Sequence, residues 1–260
     1  MKKNRFRLFG IIAAVALIWF SLAACDTGST GGSGGGGGGG TGSGTPPPPP
    51  TANPNDGPAF LGSQLLLQGR VYQGSWGSDY NFITTPFNGS LTDLSAGFWH
   101  NGDVISLGGS GAVSNGQLNF SLGVPATMPM SVGQFFGTNE TFNTPFGSFT
   151  FSNASVGIAP VDRLRVSTYG AQILFETPGL DQMSFFVYVA SDVTISGTGR
   201  TFTNNNISWT GTTFTLNLQQ GWNAFRLVSE LNANGTAARV SVLPGSPAGA
   251  VWVLWSAGGQ

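Results

Sequence analysis

The sequence predicts an all-β protein, and three observations predict it. No window between residues 60 and 260 sustains an apolar period of 3.6, whereas alternation with period two recurs. Turn signals such as Asn88-Gly89, Asn101-Gly102 and Asn115-Gly116 fall at short spacing between the alternating runs. Charged residues make up only 8% of the chain, against roughly 25% in ordinary domains. Gly, Ser, Thr, Asn and Gln must therefore supply the surface polarity.

Residues 65–72 (LLLQGRVY) open the folded part as a strand, with Gly69 marking a bulge. Trp76, Tyr80, Phe82 and Phe87 follow in weaker strands or loops. Residues 110–114 and 117–122 flank Asn115-Gly116, a dipeptide suited to a type I′ hairpin turn because both central residues need positive φ. In the second arm Leu118, Phe120 and Leu122 share one face. Pro125 and Pro129 interrupt the pattern and mark a boundary. Beyond them Phe135, Phe136, Phe142, Phe146, Phe149 and Phe151 sit among Gly, Thr and Asn. That composition reads as a long loop with short strands, its rings plugging the end of a core. The alternative is an exposed sticky patch.

Residues 163–167 and 171–176 read as strands joined at Tyr169-Gly170. Residues 184–190 are apolar on both alternating faces, as a central strand covered on both sides should be. Residues 193–196 extend that strand after a kink. Residues 213–218 turn Phe214, Leu216 and Leu218 inward. Gln219-Gln220-Gly221 then reverses the chain, and residues 222–231 return with Phe225 and Leu227 facing the same core. Residues 238–243 and 251–255 complete a set of roughly ten to thirteen strands without a helix. The expected architecture is one large antiparallel β-sandwich or two in series, immunoglobulin-like or transthyretin-like. In the serial version residues 60–128 form a small unit and 129–260 a larger one. Closure into a barrel is the runner-up, and strands this short argue against a membrane barrel.

The first 59 residues are of another kind. Lys2, Lys3, Arg5 and Arg7 precede a charge-free run from Leu8 to Phe20, which ends at Leu22-Ala23-Ala24-Cys25. A positive start, a short apolar core and a small-residue ending describe an export signal, and the run is too short for a comfortable membrane span. The ending resembles the lipobox of bacterial lipoproteins, Leu-(Ala/Ser)-(Gly/Ala)-Cys, with all four positions matched. The resemblance implies cleavage before Cys25, giving a signal peptide over residues 1–24, and attachment of diacylglycerol to the Cys25 thiol. It also implies a location at the cell membrane or outer membrane, facing the periplasm or exterior. Asp26 resembles an inner-membrane retention mark, a weak one because the rule varies between hosts. Cys25 is the only cysteine, so a disulfide within the chain is excluded. One acyl chain binds a bilayer marginally, whereas two or three hold firmly.

Residues 25–59 form the anchor and tether. Residues 27–45 are nearly all Gly, Ser and Thr, a composition that cannot offset its ordering entropy by burial. A coil of that length spans roughly 25 Å, and Pro46 to Pro50 adds a stiffer piece of about 15 Å.

About 210 residues remain beyond the tether, enough for one large β domain or two small ones. They hold no lysine, and without a basic face nucleic-acid binding is excluded as an expectation. His100 is the only histidine, and Asp103 stands three residues away across a turn. No Gly-x-Ser-x-Gly elbow is present. One histidine and one cysteine cannot build an ordinary zinc site. No Asp-x-Asp-x-Asp-Gly calcium loop is present, and convergence of Asp79, Asp93 and Asp103 from neighbouring loops is the lesser alternative. Glu140, Glu176 and Glu230 sit in unlike contexts, so a two-carboxylate hydrolase is the weakest of the alternatives. No catalytic residue, metal ligand or cofactor is predicted.

The tryptophans are the remaining lead. Trp76, Trp99 and Trp209 lie among Asn, Gly and Ser in turn-like surroundings, where an exposed indole could stack on a sugar ring. Trp252 and Trp255 fall on opposite faces of one strand, so at least one belongs to a core. The segments FFVYVASDVTISG and TFTLNLQQGWNAFRL resemble the carboxyl-terminal part of uncharacterised bacterial lipoproteins, which implies architecture only. The expected role is a non-enzymatic binding or structural one, with membrane lipid and an envelope glycan or protein as partners. The alternative is adhesion or assembly through residues 132–151.

Overall fold

A computed structural model describes residues 57–255, apart from 77–81, 101–102, 140–141, 143, 167–170, 177–180, 205–206 and 234–235. The first half carries β1 (Phe60–Gly62), β2 (Leu65–Trp76), β3 (Phe82–Pro86), β4 (Leu94–His100), β5 (Asp103–Gly108), β6 (Ser110–Ser114), β7 (Gln117–Leu122) and β8 (Met130–Ser131). A helix, α1 (Val132–Thr138), comes next. There follow β9 (Phe146–Phe151), β10 (Gly157–Val161), β11 (Arg163–Val166), β12 (Ala171–Glu176), β13 (Gln182–Val189) and β14 (Val193–Gly199). The last six are β15 (Thr201–Asn204), β16 (Ile207–Gly211), β17 (Phe214–Leu218), β18 (Gly221–Leu231), β19 (Ala237–Pro244) and β20 (Val251–Trp255). The fold is predominantly β, with several mixed sheets: most ladders are antiparallel, but β16–β19 and β2–β20 are parallel. No described helix is long and apolar enough to cross a membrane.

The organising sheet runs β8-β10-β13-β18-β19-β16-β15. Its two faces serve two cores, because successive side chains of a strand point to opposite sides. From β13, Phe185, Val187 and Val189 enter one core, while Phe186 and Tyr188 enter the other. From β18, Phe225 and Leu227 go to the first and Trp222 and Ala224 to the second. The residues on both sides of β13 are thus apolar for the reason its sequence suggests.

The first core is closed by a separate sheet, β17-β14-β9, which contributes Phe146, Val193, Ile195, Phe214, Leu216 and Leu218. The second is closed by the order β5-β4-β11-β12-β20-β2-β3, with the hairpin β6–β7 attached along the first half of β2. Leu65, Leu67, Leu118 and Phe120 fill that side.

Several expectations change. The predicted boundary near residue 128 is crossed by ladders: β1 pairs with β18, β4 with β11, and β2 with β20. The amino-terminal strands cover one face of a sheet built mainly by the carboxyl-terminal half. Residues 193–196 do not prolong β13. They start β14 in another layer, where Val193 opposes Leu218. The expectation of no helix fails at α1. There Ser131 caps with its side chain accepting from the Gln134 N–H at 3.2 Å, while Gln134 Oε1 accepts from the Ser131 N–H at 2.9 Å, a reciprocal capping box. At seven residues the helix is too short to show the apolar periodicity that identifies longer ones.

Gly69 marks no register shift in the β2–β7 ladder. Its φ is +139°, and an added Cβ would lie 3.3 Å from the Trp252 ring. The Trp252 indole donates from Nε1 to the Gln68 carbonyl at 3.0 Å, so glycine here admits an indole against the backbone. The hairpin reading holds: Asn115 and Gly116 have φ of 49° and 74°, and Ser114 opposes Gln117. The turn at 219–220 leads from β17 to β18 without joining them in one ladder, and carries the chain from one layer to the next around the first core. Buried Asn223 staples it, its Oδ1 accepting from the Gln219 N–H at 3.0 Å and its Nδ2 donating to the Gln219 carbonyl at 2.7 Å.

Candidate binding face

Of the predicted site residues, only Trp209 has its side chain among the described residues. Cys25 lies outside the described residues, as do the Asn101-Gly102 and Tyr169-Gly170 turns, Asp79 and Glu140. Trp76 ends β2 and Trp99 lies in β4, but their side chains, like those of His100, Asp103 and Glu176, are outside the described set. Trp209 is only 3% exposed. Its ring packs in the first core, stacked on Phe202 with centroids 6.1 Å apart and planes 13° from parallel. An indole held this way offers solvent no face, so Trp209 does not meet the expectation of a sugar-stacking platform.

The phenylalanine-rich segment is also spent internally. Phe135, Phe136, Phe142 and Phe146 are all at most 1% exposed, and Phe142 lies within 6 Å of Phe135, Phe136, Phe185 and Phe225 by ring centroid. Phe149 and Phe151 are half-buried against the same core. These rings plug a core and do not form a surface patch.

Charged groups inside the body tie strands together. Asp162 and Arg163, both 6% exposed, pair where the chain passes from β10 to β11, with Arg163 Nε donating to Asp162 Oδ1 at 2.6 Å and Nη2 to Oδ2 at 3.1 Å. Arg226 sends Nη1 to the carbonyls of Pro244 and Gly245 at 3.0 and 3.2 Å, fixing the exit of β19. Ser184 is its cross-strand neighbour, and the Ser184 hydroxyl is buried without a hydrogen-bond partner among the described residues. Glu230 opposes Arg239 across β18 and β19. Partial burial raises the Glu230 carboxyl above its ordinary range, Arg239 works against that shift, and Asp181 adds to it. Among the described residues no three His, Cys, Asp or Glu side chains converge to hold a metal ion.

One exposed feature is regular. On the outward side of β9, β14 and β17 the ladder aligns Thr150, Ser196 and Thr215 in one row, and Ser148 with Thr198 in the next. A third row holds Thr194 and Asn217, continued by Ser152. The rows are fastened: Thr194 Oγ1 donates to Asn217 Oδ1 at 3.0 Å, Ser196 Oγ and Thr215 Oγ1 lie 3.0 Å apart, and Ser152 Oγ accepts from the Thr194 N–H at 3.0 Å. The face is neutral and rich in hydroxyl groups. Sequence reasoning missed it because alternation in SFTF, TIS and TLN gives each strand's faces but not which strands pair. Comparison with known protein families, characterised proteins and solved structures finds no match to this chain.

Proposed function

We propose that this chain is a lipid-anchored envelope protein with a non-enzymatic binding or structural role. Cys25 carries the lipid, residues 26–59 are the tether, and the β body acts outside the cytoplasmic membrane. Within this reading the body is of sandwich type, its sheets facing one another across each core. The observation that carries the proposal is the lone cysteine at the end of a short apolar run, well ahead of the first ladder at Phe60. A mildly acidic and sparsely charged body supports it, with six arginines and nine carboxylates beyond residue 60, since such a module can hold an uncharged envelope partner while desolvating little charge. The test is metabolic labelling with radioactive palmitate, comparing native protein with Cys25→Ser. Label and membrane retention in the native form alone are expected. An unlabelled native protein that washes into buffer overturns the proposal.

An envelope glycan is the partner class we favour. The indoles of Trp76 and Trp99 stay in this reading as stacking groups, tested by Trp→Ala changes on a glycan array.

A further inference from the structure

We infer that the outward face of β9, β14 and β17 is a docking surface for a neutral, hydroxyl-rich polysaccharide. The inference rests on the glycan-binding version of the reading above and adds a second contact surface to it, since Trp76 and Trp99 belong to β2 and β4 in a different sheet. Cross-strand neighbours in a sheet stand about 4.8 Å apart, and same-face residues repeat at roughly 7 Å along a strand. Thr150, Ser196, Thr215, Thr194, Asn217, Ser148 and Thr198 therefore form a two-dimensional lattice of donors and acceptors. Each hydroxyl both donates and accepts, so one engaged with its row neighbour still has capacity for a ligand. The contacts at 3.0 Å within the rows pre-set rotamers that would otherwise be ordered at binding cost.

Charge selects the occupant. No position in these rows carries a charge, and the charges just beyond the sheet are engaged with backbone. Asp192 Oδ1 accepts from the Gln220 N–H at 2.7 Å, and Arg200 Nε donates to the Thr144 carbonyl at 2.7 Å. A nucleic acid would need cations on the face. A protein partner would need aromatic or arginine anchors, and the aromatic rings of these strands point inward or half-inward to the core. A bilayer would need apolar side chains. A neutral polyol matches the lattice without stranding any charge in the contact.

The full chain in detergent is passed over chitin beads, cellulose and a cross-linked dextran gel, with polygalacturonate gel as the charged control. We expect retention on at least one neutral matrix, insensitive to added salt. The triple change Thr150→Val, Ser196→Ala and Thr215→Val should weaken that retention at least about fivefold, the effect of losing one net hydrogen bond of roughly 1 kcal/mol. If the triple variant loses its native melting transition, Thr215→Val alone is scored, since valine suits an exposed strand position. Absence of wild-type retention on all three neutral matrices, preference for polygalacturonate, or equal retention of the folded variant overturns the inference. The palmitate experiment is read separately. Lost retention with Cys25 still labelled removes this face and leaves the anchor, and lost label with retention intact does the reverse.

Discussion

Single positions set local geometry through space and charge. Gly116 shows the steric case. Its φ is +74°, and a Cβ built there would fall 1.8 Å from the Phe87 carbonyl oxygen, while its own N–H and carbonyl are taken by Gly89 and Val71. Gly116→Ala is therefore expected to cost about 1–3 kcal/mol, measured by denaturant unfolding. A change within 0.3 kcal/mol or so would mean that the loop carrying Phe87 moves aside at little cost. Glu230 shows the electrostatic case. Its folded-state carboxyl holds its proton more tightly than in the unfolded chain, so the folded protein binds the extra proton between the two pKa values. The Glu230 contribution to stability is full below the ordinary glutamate value of about 4.3 and is lost as pH rises through the raised one. Glu230→Gln should flatten that decline, read as the pH dependence of the melting temperature. A steeper decline in the variant would show that Arg239 outweighs burial.

Elements were legible in proportion to how much of their structure is local. The hairpin β6–β7 was readable because Asn115-Gly116 fixes its turn and alternation fixes its buried face. β13 was readable because a strand covered on both sides is apolar on both faces, a pattern that Phe185 to Val189 keep and only Ser184 breaks among its buried positions. α1 was missed. Its start signal, Ser131 followed by Gln134, is present in the sequence, but only Val132, Phe135 and Phe136 mark its apolar side. Its stability must come largely from the cap and from packing, since a helix this short does not stand alone. Ser131→Ala is expected to cost about 1 kcal/mol and to speed hydrogen exchange at Gln134, whose N–H loses its acceptor. An unchanged exchange rate would assign the helix wholly to its buried phenylalanines. The pairing of β9 with β14 and of β14 with β17 was not legible, because ladder partners are chosen by the whole fold and not by the strand. The lattice of hydroxyls depends on those pairings, so it stayed hidden with them.

At the scale of the molecule, the shared sheet decides how the two cores answer to each other. Two serial units would unfold separately, each core responding only to changes in its own half of the chain. Here β13 and β18 wall both cores at once, and β1, β2 and β4 from the amino-terminal part complete ladders with strands from beyond residue 160. Loss of the first core would expose one face of the central sheet and so remove the backing of the second. Calorimetry on the full chain should show one cooperative transition for the β body, with calorimetric and van't Hoff enthalpies in agreement. Phe142→Ala, in the first core, should cost about 3–5 kcal/mol, and Leu118→Ala, in the second, about 2–5 kcal/mol. Each should lower that same transition. The pair should combine nearly additively, because Phe142 and Leu118 belong to different core clusters. Two resolved transitions, each moved by only one of the substitutions, would show that the ladders across residue 128 do not couple the halves. The boundary read from Pro125 and Pro129 would then describe the thermodynamics better than the ladders do.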